Sequence, residues 1–140
     1  VGCGKAFILY EIKKLLPSIK ITGFDISKYG IANAPKEIRK NLIVQKAQKK
    51  YNYKDKEFDL AISTGCFHNL EINELKFALN EIQRVSKKTY IMVESYRNEK
   101  ELFNLQCWAL TCESFFSKKE WKWIFKEFKY NGFYEFIYFR

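Results

Sequence analysis

Two glycines separated by one residue, Gly2 and Gly4, stand just ahead of a helical pattern at the start of this 140-residue chain. Glycines in that position let the backbone turn tightly and let a ligand approach the main chain. A dinucleotide turn of the form GxGxxG needs its third glycine where Phe7 stands, which argues against NAD or FAD. Asp25 closes the run IKITGFD, 21 residues after Gly4. A carboxylate there can accept hydrogen bonds from both hydroxyls of a ribose, each worth about 1.5–3 kcal/mol. The plainer role for such a residue is a turn or helix cap. His68, the only histidine, can exchange a proton near neutrality, or it can simply hydrogen-bond a neighbouring loop. Glu94 is a second acid–base candidate, unless it only pairs with Arg97. Arg97 can in turn bind a carboxylate or phosphate.

The elements that must position these residues alternate between helix and strand. Residues 5–16 place Ala6, Ile8, Leu9, Ile12, Leu15 and Leu16 at helical spacing, and Pro17 stops that helix. Strands are expected over 19–25, 42–45, 58–63, 89–94 and 133–139. Helices are expected over 28–38, interrupted or started by Pro35, over 71–86 and over about 98–112. Another opens at Ser117 with a capping box to Glu120 and closes at the Asn131-Gly132 pair, which suits a left-handed turn. This order implies an α/β fold: a Rossmann-like, doubly wound, mostly parallel sheet in one domain over 1–140. In such sheets ligands bind beyond the carboxyl ends of the strands.

Composition removes other classes. Of the 25 basic residues 21 are lysine, in scattered pairs such as Lys13-Lys14 and Lys87-Lys88, so the net charge of +9 reads as a solvated surface and not a nucleic-acid stripe. No apolar run is long enough to span a membrane. The cysteines Cys3, Cys66, Cys107 and Cys112 form no CxxC pair, and no metal site is expected. Cys66 and Cys107 lie in apolar stretches that suit buried thiols, and a reduced cytoplasmic protein fits this usage.

Four segments taken in order resemble the class I S-adenosylmethionine-dependent methyltransferases of the type 11 kind. The first is Val1-Gly2-Cys3-Gly4-Lys5-Ala6, similar to acid-x-Gly-x-Gly-x-Gly with Ala6 at the third glycine. The second is Asp25-Ile26, and the third is Lys46-Ala47-Gln48, where the family carries acids. The fourth is Phe58 to Leu70, FDLAISTGCFHNL, followed by the Glu81-Ile82-Gln83-Arg84-Val85 segment. The resemblance runs from residue 1 to about 95.

It implies S-adenosylmethionine as cofactor, contacted by Gly2, Cys3, Gly4, Asp25, Ile26, Ala47, Gln48 and Ser63, with Ile26 against the adenine. It implies methyl transfer to a small-molecule acceptor, such as a saccharide precursor or other metabolite. His68 and Glu94 are the catalytic candidates, and Tyr96 and Arg97 the substrate contacts, within an acceptor region over 96–140. An NPPY-type segment, the mark of nucleic-acid amino methyltransferases, is absent where Ser63-Thr64-Gly65-Cys66 stands. The alternatives are a non-catalytic binding or interaction module, or an NAD-dependent oxidoreductase. The resemblance begins after the family's first, central strand, so an N-terminal extension is expected, with residues 1–140 alone unstable for want of ladder partners.

Overall fold

A computed structural model describes the whole chain, Val1–Arg140. It divides into two compact units, Val1–Lys49 and Lys50–Arg140. The first contains helix α1 (Phe7–Leu15), strand β1 (Gly23–Asp25), short helices α2 (Lys28–Ala32) and α3 (Lys36–Arg39), and strand β2 (Leu42–Val44). β1 and β2 run parallel, with Gly23 opposite Leu42 and Asp25 opposite Val44. Their core is small: Ala6, Ile31, Ala34, Ile38 and Leu42, flanked by Cys3, Leu9, Tyr10 and Ile21.

One expectation fails here and another holds, each for a physical reason. The strand expected over 19–25 pairs only over its last three residues, because the chain ahead of β2 is still in α3 and its C-cap, Lys40, and offers no extended partner. The helix expected over 28–38 is interrupted at Pro35 as expected, with α2 ending at Ala32 and α3 starting at Lys36. Proline restricts the residue before it and brings no N–H of its own.

The second unit holds β3 (Phe58–Thr64), a 3-10 turn (Phe67–Asn69), α4 (Ile72–Val85), β4 (Ser86–Glu94), α5 (Glu99–Trp108), α6 (Lys118–Glu127) and β5 (Phe133–Ile137). The sheet order is β3-β4-β5, all parallel. α4 buries Leu75, Ala78, Leu79, Ile82 and Val85, the face its spacing dictates. β4 starts directly at Ser86, whose hydroxyl donates to the Ile82 carbonyl at 2.6 Å and closes the helix end. α5 stops at Trp108, short of 112, where the Ala109 amide turns back to the Leu105 carbonyl. β5 ends at Ile137.

The capping box of α6 forms as expected, with the Ser117 amide donating to Glu120 at 2.6 Å. Trp121 is fully buried and Trp123 is 57% exposed, as two residues two apart on a helix require. The left-handed residue after α6 is Lys129 (φ 55°), not Asn131 or Gly132. Gly132 serves a different purpose: a Cβ there would lie 1.8 Å from the Thr89 hydroxyl.

The polar stretch before β3 is strapped to α4. Arg84 donates to the Tyr51 carbonyl (2.9 Å), the Tyr53 carbonyl (2.8 Å) and Asp55 (2.8 Å), and it also grips Glu81 (2.7 Å). Glu81 accepts the Tyr51 amide at 2.7 Å. No helix is long and apolar enough to cross a membrane.

Candidate functional site

The glycine turn of the first unit is wound through left-handed backbone at Gly2 (φ 65°), Gly4 (φ 54°) and Ala6 (φ 57°). Glycine adopts that region without strain, whereas a Cβ there costs about 1–2 kcal/mol. Ala6 accepts that strain with its methyl packed in the small core. The turn is tied to the end of β1. The Cys3 amide donates to the Phe24 carbonyl (3.0 Å), and the Gly4 amide donates to Asp25 Oδ2 (2.7 Å). Asp25 Oδ1 accepts the Ser27 amide at 2.8 Å. Ile26, next in the chain, is 61% exposed and available to a flat apolar ligand. Burial raises the Cys3 thiol, so it stays neutral beside Asp25.

Ala47 is buried and Gln48 half-buried just beyond β2. Gln45 was not anticipated. Its amide donates to the Asp25 carbonyl at 2.9 Å, while its side-chain Nε2 is shut from water with no partner. A lone polar residue after a short strand carries no sequence signal; only its buried, unused donor marks it.

In the second unit the two catalytic candidates meet. His68 lies on the 3-10 turn after β3 and Glu94 ends β4, each 3% exposed. Imidazole Nδ1 is in contact with carboxylate Oε2, and neither atom has another partner. The surroundings hold both in place. The His68 carbonyl accepts the amides of Glu113 (3.0 Å) and Ser114 (2.9 Å), and the Trp121 indole N–H donates to the Glu94 carbonyl (3.1 Å). Gly65 (φ 63°) lies against the same carboxylate, and a Cβ there would stand 3.2 Å from Glu94 Oε1. Ser63 is 1% exposed and its hydroxyl is unpartnered.

Other expectations change. Glu94 does not pair with Arg97, which is gripped instead by Glu101, with Nε at 3.0 and 3.1 Å from its two oxygens. The Arg97 guanidinium also sits 4.3 Å from the Tyr138 ring centroid. Tyr96 is half-buried beside this pair in sequence. Cys107 is exposed and Cys66 half-buried, so neither is the buried thiol expected; Cys112 is. Burial pushes the Cys112 thiol up to about 11, with the charges of Glu94 and Glu113 adding to the effect. No group of residues that could hold a metal ion is present.

A family model described as a methyltransferase domain matches residues 1–129. The chain belongs to that family. Membership implies S-adenosylmethionine as the cofactor of this methyltransferase domain. A structure of a SAM-dependent methyltransferase from Archaeoglobus fulgidus is similar over 91% of the chain, at 21% identity and TM-score 0.70. So is a chain in the Haloferax volcanii complex between the Trm112 methyltransferase activator and a protein described as a methyltransferase, at 20% identity and TM-score 0.67. A protein from Pyrococcus horikoshii OT3 matches 61% of the chain at 26% identity and TM-score 0.54. The chain spans about half of these structures: 57%, 57% and 42% of their lengths. No curated protein matches.

The residues of the methyltransferase domain suit the cofactor. A nucleoside needs a ribose acceptor, an apolar surface and donors for its ring nitrogens. Asp25, the exposed Ile26 and the unused Gln45 amide are of those three kinds, all at the carboxyl ends of β1 and β2.

Proposed function

We propose that the protein transfers a methyl group from S-adenosylmethionine to a small-molecule acceptor. The observation that carries this reading is the Asp25 carboxylate at the end of β1, bonded at 2.7 Å to the amide of a left-handed glycine turn. When bound, S-adenosylmethionine supplies an electrophilic methyl on a sulfonium, so much of catalysis reduces to positioning. Asp25 accepts the ribose hydroxyls, Ile26 packs on the adenine, and Gln45, with the main chain of Ala47 and Gln48, meets its ring edge. Gly2, Cys3 and Gly4 bring main chain close to the rest of the ligand, and Ser63 offers a buried hydroxyl.

His68 acts as the base. With Glu94 accepting the Nδ1 proton, the neutral imidazole keeps its Nε2 lone pair free to take a proton from the acceptor. Glu94 works through His68, fixing its tautomer and orientation, and is a positioning residue. Tyr96 and Arg97 belong to the acceptor region over 96–140, where Arg97 binds an anionic group only by exchanging it for Glu101. An Arg97→Ala enzyme with unchanged acceptor affinity removes that last assignment.

The test is calorimetric titration of S-adenosylhomocysteine and NADH into wild type and Asp25→Ala. Selective binding of S-adenosylhomocysteine, weakened about tenfold or more by the substitution, is the expected result. Absence of binding by the folded protein favours a non-catalytic module, and NADH binding favours an oxidoreductase.

A further inference from the structure

Gly30 lies in α2, where glycine costs about 1 kcal/mol relative to alanine. Its backbone gives no reason for that cost, since Gly30 is not among the residues with positive φ. Space does. A Cβ at Gly30 would stand 3.0 Å from the Gly4 carbonyl oxygen and 3.2 Å from its carbon. Both are main-chain atoms of the glycine turn, which cannot swing aside as a side chain would.

The same turn is also held by hydrogen bonds. The Gly4 amide donates to Asp25 Oδ2, Asp25 Oδ1 accepts the Ser27 amide, and the Ser27 hydroxyl accepts the Gly30 amide at 2.9 Å. The Gly4 amide is thus set by a carboxylate, and the Gly4 carbonyl by a bare helix position. An ionised carboxylate offers about four lone-pair sites, so two amides leave room for two hydroxyls.

We propose that Gly30 is a positioning residue for nucleoside binding, and that Asp25 has a second task beyond the ribose: together they set the shape of the Gly2–Gly4 turn. This rests on the cofactor reading above. Gly30→Ala gains helix propensity that offsets part of the strain of pressing on Gly4, so ligand affinity falls further than stability.

The experiment is calorimetry on the intact protein with two probes, S-adenosylhomocysteine and its 2′,3′-dideoxy analogue, alongside thermal melts. Gly30→Ala is expected to weaken S-adenosylhomocysteine about tenfold while still unfolding in one cooperative melt. Wild-type affinity in that variant overturns the positioning role. Asp25→Ala is expected to weaken the dideoxy analogue as well, although that ligand has no ribose hydroxyls to lose. Indifference of the analogue to Asp25→Ala overturns the second task, and this arm stands even if Gly30→Ala does not fold. If wild type binds neither probe, the failure belongs to the cofactor reading and not to the turn.

Discussion

In residues 1–49 the groups that would meet a ligand are main-chain amides of a turn, one half-buried carboxylate and an exposed isoleucine, whereas in residues 50–140 they are side chains shut inside the packing. The supporting helices differ in the same sense. α1 buries no residue, while α4 buries six and α6 three. A turn built from backbone tolerates change in the side chains around it but not in its own dihedral angles. A buried imidazole–carboxylate pair is the reverse: its backbone is ordinary, and its properties come from what surrounds it.

The largest effect that would sharpen this contrast is on turnover. His68→Gln should lower methyl incorporation from labelled S-adenosylmethionine into an acceptor-containing metabolite extract by about 10²–10⁴-fold. Affinity for S-adenosylhomocysteine should stay within a factor of two, and retention of full turnover would leave the second unit with a structural pair only. Trp121→Ala comes next, because it empties a fully buried site and frees the Glu94 carbonyl. A loss of about 3–5 kcal/mol in denaturant unfolding is expected.

The Glu81–Arg84 strap gives a smaller, pH-dependent effect. The Arg84 hydrogen bond holds the Glu81 carboxyl below its usual range. Its folded pKa is therefore depressed, so the stability it lends is fully present above the unfolded-state pKa and lost as pH falls through the folded one. Melting temperatures of Glu81→Gln should consequently start lower at neutral pH and fall less steeply on the acid side; an unchanged acid limb would show that the strap adds nothing. The smallest effect belongs to α1, where Leu15 is 79% exposed. Leu15→Ala should change unfolding free energy by no more than about 0.5 kcal/mol. A larger loss would break the contrast, by revealing that α1 packs through more than Leu9 and Tyr10.

Much of the second unit was legible in the sequence, because its signals are long and periodic. The run FDLAIS marked β3 to within one residue, and the apolar stripe of Leu75, Leu79 and Ile82 marked α4 equally well. In the first unit the elements are three to five residues long apart from α1, too short for a period to show, and the strand at 19–25 was overextended. Within the candidate site, Gly4 and Asp25 were legible as a pair by spacing, and they are joined by a hydrogen bond. His68 and Glu94 were each singled out, but no spacing announces a contact across 26 residues, and Arg97 offered a nearer partner for the acid. Gln45 and Gly30 were missed for a common reason: one matters for a donor left unused, the other for an atom it lacks, and neither is a property of residue type or period.

The bare Cα of Gly65 beside Glu94 has a practical use. A single methyl there would meet a backbone already in left-handed space and a carboxylate oxygen 3.2 Å away. On the proposed reading, Gly65→Ala would leave the residues of 1–49 as they are and disturb the carboxylate that orients His68, giving a loaded but idle protein. Such a variant could serve as bait, holding the unknown acceptor from a cell extract long enough to be identified by mass.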